Sequence, residues 1–277
     1  MKYKITNETM ITDSGILLHR IECLTSFGNV KAGDKGGYIE KESNLSQLGN
    51  AWVCGNAKVY GDALVCGNAL VCENAEVCEN AKVCGNALVC GNAWVCGDAE
   101  VCENTKVCGN AKVYGDAWVC GNAWVGGNAL VCGNAEVCGS AEVRENAEVW
   151  GNAEVCENAK VCGNALVYGN AKVCGSAEVR EKAKVYGDAL VCGNALVCEN
   201  AEVCGNAKVC ENADYIVFKN WWSSGRYFTW TKSNNMWKVG CFYGTGEELI
   251  EKTYKDNEKS GRQYEKIVRY VQSILED

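Results

Sequence analysis

From Val53 to Val209 every sixth residue is valine, 27 in all, and two residues before each stands alanine, with Thr105 the one exception. No other feature constrains this chain so tightly. Six is not a helical period, since a coiled coil needs seven and an amphipathic helix 3.6. Ala-x-Val places both apolar residues on one face of a short strand and the variable residue on the other. The intervening Gly/Glu-Asn/Asp/Ser pair favours a tight bend, because glycine and asparagine tolerate positive φ. A strand of about three residues and a bend of about three, repeated, winds into a solenoid, the reading that a short fixed period requires.

The residue after each valine sets the number of hexads per turn. All 19 repeat cysteines occupy that slot. Sorted by an 18-residue period, one column reads Cys66, Cys84, Cys102, Cys120, Cys138, Cys156, Cys174, Cys192 and Cys210, nine out of nine. A second column gathers Tyr60, Tyr114, Trp150, Tyr168 and Tyr186, which a period of 12 would mix with the first. The segregation predicts a three-sided coil of three hexads per turn. The expected architecture is all-β: a parallel β-helix of about nine coils over 49–213, an N-terminal β cap over 1–48 and a C-terminal α+β domain over 214–277.

In the cap, Lys2–Thr6 and Gly15–Leu24 read as strands, and Ile39 and Leu45 fall in the alanine phase as larger core residues. His19, the only histidine, reads as a solvent-facing strand residue. In the C-terminal region Tyr215–Lys219, Arg226–Lys232 and Met236–Tyr243 read as three strands joined by polar turns, a β3α2 domain. Thr245–Glu248 and Ser260–Gln263 have the pattern of capping boxes opening two helices. Tyr264, Ile267, Tyr270, Val271, Ile274 and Leu275 form an apolar helical face. Aromatic residues are densest here, and Trp221, Trp222, Arg226 and Trp230 are the candidate partner-binding residues.

Charge and composition narrow the function. The net charge is −8, and the repeat alone carries 11 basic and 20 acidic side chains. An acidic rod disfavours a phosphate-binding surface, so no nucleic-acid partner is expected. No stretch approaches 18 apolar residues, and the start MKYKITNETM lacks a signal-peptide pattern, so neither a membrane partner nor export is expected. The expected location is the cytoplasm, where thiols stay reduced. The 21 cysteines are then not a disulfide framework.

The sequence resembles the YdcK-like β-solenoid proteins of bacteria and their prophages. The resemblance rests on Phe27-Gly-Asn-Val30, Ala32-Gly33, Gly36-Gly-Tyr-Ile39, Glu42, Leu45, Gln47 and Gly49-Asn-Ala-Trp52, running straight into the repeat. The block Trp222–Trp230 with Gly240–Ile250 looks like a tail seen on related phage-type proteins. The resemblance implies a left-handed coil and carries no secure biochemical role.

Chemistry is sparse. Hexapeptide-repeat acyltransferases use a histidine base and a loop inserted between coils. Here no hexad holds histidine and none is interrupted, so no catalytic residue and no cofactor are expected. A nucleophilic cysteine needs a base beside it, and the repeat offers no imidazole. The nine-cysteine column is the one unusual constellation. Neighbouring Cα atoms about 4.8 Å apart would allow oxidative pairing. A straight column offers adjacent sulfurs but no evident third ligand or carboxylate at a fixed offset for a tetrahedral metal. Mutual repulsion should keep the thiols protonated. They are expected to be structural and free, with at most a few oxidised pairs. The leading function is a non-catalytic rigid spacer or scaffold whose C-terminal domain binds a protein partner, in a phage or prophage setting. The alternatives are a phage-encoded inhibitor of a host protein and a soft-metal or redox-responsive cysteine array. A homo-oligomer through the C-terminal domain is a further possibility.

Overall fold

A computed structural model of the chain describes residues 1–276. The hexads form a three-sided parallel β-solenoid. Val53 stacks on Val71 and Val71 on Val89, at the 18-residue spacing read from the cysteine slot. Two of the three faces are nine-stranded parallel sheets, and the third is a twelve-stranded sheet that continues into the N-terminal cap. Every repeat valine is fully buried, and the alanines with them. Thr105 takes an alanine seat at 1 % exposure because its hydroxyl donates to the Cys102 carbonyl at 2.6 Å. Burying that hydroxyl without a partner would be costly.

Regular strands are only two residues long over most of the rod, Lys58–Val59 and Leu64–Val65 for example. They persist because each N–H is paired to the coil above, as in Lys58 N to Ala75 O and Tyr60 N to Val77 O, at 2.9 and 3.0 Å. The corners are built as firmly. The first corner residue is glycine or glutamate in the left-handed region, Gly85 at φ +68° and Glu73 at φ +63°. A Cβ at Gly85 would lie 2.6 Å from the Glu103 backbone nitrogen. Where glutamate takes this strained seat, its carboxylate can reach up the rod: Glu73 accepts from Gly91 N at 2.7 Å and Glu79 from Gly97 N at 2.8 Å. Such charge-assisted bonds offset αL strain of about 1 kcal/mol. The second corner residue forms asparagine ladders. Asn56, Asn74, Asn92, Asn110, Asn128, Asn146 and Asn164 each hand a side-chain hydrogen bond to the next, at 2.9–3.3 Å. Stacked amide ladders are a known stabiliser of in-register parallel strands.

A parallel coil is polar along its axis. Its N-terminal end presents carbonyls and its C-terminal end N–H groups. The two caps meet these with opposite chemistry. At the N-terminal end the capping groups are donors: Lys2 Nζ to Ala51 O at 2.8 Å, Asn44 Nδ2 to Ala63 O at 2.9 Å and Tyr3 Oη to Leu45 O at 2.7 Å. At the other end they are acceptors: Asn212 Oδ1 takes Leu196 N, Thr229 Oγ1 takes Glu202 N, Ser233 Oγ takes Lys208 N and Asp214 Oδ2 takes Cys210 N, at 2.7–2.9 Å. Asn234 Nδ2 also donates to Asn206 Oδ1, a side-chain bond from the C-terminal domain to the end of the rod.

The repeat forms the nine coils expected, and the cap strand Lys35–Ile39 joins the twelve-stranded sheet in parallel and extends the solenoid to about ten turns. Several expectations about the ends are corrected. Ile39 and Leu45 occupy valine seats, not alanine seats, stacking on Val59 and Val65. The spacing from Leu45 to Val53 is eight residues instead of six, so the corner between them shifts the phase by two. The cap strands run over Tyr3–Ile11 and Leu17–Cys23, the first longer than expected. His19 is half-buried opposite Ile39, with Nδ1 shut from solvent, rather than solvent-facing.

The C-terminal sheet has four strands, not three. Met236–Val239 turns at Gly240, φ +56°, into a separate strand Phe242–Gly244. Helix α1, Gly246–Asp256, is opened by Thr245 and Glu248 as expected. Helix α2, Glu258–Glu276, begins before Ser260. Asn257 Oδ1 accepts from Ser260 N at 3.1 Å, so the Ser260–Gln263 pattern lies within the helix and is no capping box. Its buried face is Tyr264, Val268 and Val271, while Tyr270, Ile274 and Leu275 are exposed.

Candidate functional site

Two regions carry the candidate residues: the cysteine column and the head of the C-terminal domain. The column runs up one corner of the rod, each cysteine following a valine of the sheet that contains Val65, Val83 and Val101. Cys66, Cys84, Cys102, Cys120, Cys138, Cys156 and Cys174 are free thiols, and Cys192 is bonded to Cys210. Cys102, Cys120 and Cys156 are buried, the other free thiols half-buried.

The outward strand residue decides what each thiol meets. Residue i projects beside the slot cysteines at i+2 and i−16. At two of the three glutamates of this column, Glu100 and Glu154 but not Glu136, a carboxylate lies within reach of both sulfurs. Cys84, Glu100 and Cys102 form one such cluster and Cys138, Glu154 and Cys156 another, with the ligand atoms of each within 4.8 Å of one another. The expectation that the column lacks a carboxylate at a fixed offset is therefore corrected. The sequence pattern, Glu-Val-Cys preceded by cysteine sixteen residues back, occurs at Glu100, Glu136 and Glu154, and only the side-chain positions separate Glu100 and Glu154 from Glu136. Cys84 Sγ lies 3.8 Å from Glu100 Oε1. Each glutamate also holds a lysine, Lys82 at 3.2 Å from Glu100 and Lys172 at 2.6 Å from Glu154.

Burial pushes these thiols up, and their neighbours push further. Cys84 is pushed up to about 12 by burial and then by Cys102, Cys66 and Glu100. Cys120 also reaches about 12 through burial and then Cys138 and Cys102. Cys138 reaches about 11 through burial and Glu136, and Cys156 is raised by burial and Glu154. At neutral pH these column thiols are protonated.

The other two columns use the same spacing differently. Trp124 donates its indole N–H to Cys108 Sγ at 3.0 Å. A Cβ at Gly126 would meet that indole nitrogen at 2.8 Å, which accounts for the lone glycine in a cysteine slot. On the third corner Trp150, Tyr168 and Tyr186 stack at 4.4 and 4.8 Å between ring centres. Lys238 of the C-terminal domain lies 5.9 Å over the Tyr186 ring, so the column ends against the head.

In the head, the four candidate residues separate. Trp230 is 1 % exposed, with its indole N–H on Asn235, and belongs to the core rather than to a binding surface. Trp222 is half-buried against Phe228 and Tyr264. Trp221 is 74 % exposed, and Arg226 is exposed at the other end of the same loop. The loop is closed on itself through Asn220. Its backbone N–H donates to Arg226 O at 2.8 Å, its carbonyl accepts from Gly225 N at 2.8 Å, and its side chain bonds Ser223 N and Tyr264 Oη. A cleft of about 280 Å³ lies nearby, lined by Asn220, Phe242, Leu249, Lys252, Asp256 and Tyr264 among others.

The architecture defines a β-solenoid repeat protein with capped ends. Residues 81–97 and 159–175 match the family model described as the YdcK β-solenoid repeat, so the repeat is similar to that family's. No curated protein sequence matches the chain. No helix among the described residues is long and apolar enough to cross a membrane.

Proposed function

We propose that this protein is a non-catalytic rigid spacer that carries its C-terminal domain as a protein-binding head. The observation that carries the reading is Trp221, an exposed tryptophan on a loop held in place by the buried Asn220. An aromatic anchor fixed before binding loses little entropy when a partner covers it, the property of an interface hot spot. Arg226 on the same loop adds a planar cation suited to a carboxylate-bearing surface. The rod supports this role through its continuous hydrogen-bond ladders, which resist bending and hold the head at a set distance. A rod rich in free thiols is suited to a reducing compartment, so the reading places the protein in the cytoplasm. The similarity to YdcK repeats favours a bacterial or prophage setting. A second reading, an inhibitor of a host protein acting through the rod, is favoured by the excess of acidic side chains along the repeat.

Capture from a bacterial lysate on the immobilised full chain tests both. Under the first reading Trp221→Ala and Arg226→Ala each abolish a specific captured band, while charge reversal of Glu136 and Glu142 on the rod does not. Capture that survives both head substitutions but falls on charge reversal transfers the binding role to the rod.

A further inference from the structure

The cysteine column is not uniform, and its heterogeneity points to a ligand. We propose that Cys84–Glu100–Cys102 and Cys138–Glu154–Cys156 are two metal sites for a thiophilic divalent cation of the zinc and cadmium class, one ion per cluster.

The donor chemistry is specific. Two sulfurs and one carboxylate oxygen are ligands that a d¹⁰ cation accepts in tetrahedral geometry, with the fourth position left to water or a further side chain. Ligand atoms on one tetrahedral ion lie roughly 3.3–3.8 Å apart given metal–sulfur and metal–oxygen bonds of about 2.3 and 2.1 Å. The three donors of each cluster already lie within 4.8 Å of one another, so small side-chain rotations close the set. The backbone beneath them is rigid, because Glu100 and Cys102 flank Val101, a fully buried core residue. The two clusters are equivalent by construction. They share one corner and differ by 54 residues, three coils, which separates them by about 14 Å.

Lys82 and Lys172 compete for the carboxylates, but both are about half exposed and can swing into solvent when a cation arrives. The protonated thiols are no obstacle, since a bound divalent cation displaces the thiol proton and stabilises the thiolate. Binding therefore releases two protons per ion.

The test is titration of the reduced full-length chain with Cd²⁺, followed by the ultraviolet thiolate-to-metal charge-transfer absorption. The expected result is saturation at two ions per chain. Glu154→Gln and Glu100→Gln, both outward and compatible with the fold, each weaken one site by about tenfold or more. Cys102→Ser with Cys156→Ser removes saturable binding, with circular dichroism confirming the solenoid. Absence of the absorption, a stoichiometry close to the nine cysteines of the column, or unchanged binding in the Glu100→Gln/Glu154→Gln double variant overturns the assignment.

Discussion

Ala135 and Glu136 are adjacent in sequence and opposite in consequence. Ala135 is fully buried in a prism of alanine and valine, whereas Glu136 is half-buried on the outer face. Ala135→Leu inserts three carbons where the stacked coils leave no room, and should cost about 1–3 kcal/mol or more. Glu136→Lys should change stability by less than about 0.5 kcal/mol. Chemical denaturation of the two variants checks the difference, and equal effects would contradict the assignment of inside and outside. Residue roles of this kind were readable from period and alternation alone. Those of Gly126 and Thr105 were not. Gly126 is small because an indole from two positions earlier lies over it, and Thr105 is tolerated because two carbonyls sit within reach of its hydroxyl. Both depend on neighbours that only the coil brings together.

At the scale of elements, strands of two residues are too short to persist by themselves, and the ladder above and below each one holds it. The terminal elements decide whether that ladder ends safely. Asp214 accepts from Cys210 N and Glu211 N at 2.8 and 3.0 Å, closing the N–H edge where the rod meets the head. Asp214→Ala should leave those donors without a protein acceptor and cost about 1–2 kcal/mol. Hydrogen exchange should then accelerate at Cys210 and its neighbours while amides near Val131 keep their protection. Uniform acceleration along the rod would show that the last coil is not a local unit. The cap strands and the four-stranded sheet were only partly legible. The break at Gly240 is a positive-φ turn inside an apolar stretch, which period-two alternation reads as one strand.

For the whole molecule, each end of the solenoid is an open edge unless covered, and open edges pair with other chains. Removing residues 214–277 takes away Thr229, Ser233 and Asp214 and uncovers the N–H groups of Glu202, Lys208 and Cys210. Static light scattering should then report oligomers or fibres growing with concentration. A truncated chain that stays monodisperse would mean the final coil protects itself. Stability along the rod should be close to a sum of coil and neighbour contributions, so damage in the middle should weaken the molecule without abolishing either end.

The six-residue period, the alternation of alanine and valine, and the segregation of cysteine from tyrosine by itself determined the three-sided coil, the register of 18 and the identity of the core. These follow because one-dimensional periodicity becomes three-dimensional stacking as soon as backbone hydrogen bonds run between coils. The tertiary structure decided the rest. It set the phase shift after Leu45, buried Trp230 while leaving Trp221 exposed, placed acceptors on one end and donors on the other, and brought Glu100 and Glu154 between cysteines sixteen residues behind and two ahead. The physical reason is common to all four. A repeat specifies a neighbour at a constant offset, whereas caps, buried aromatics and ligand sets depend on contacts between residues whose separations follow no period.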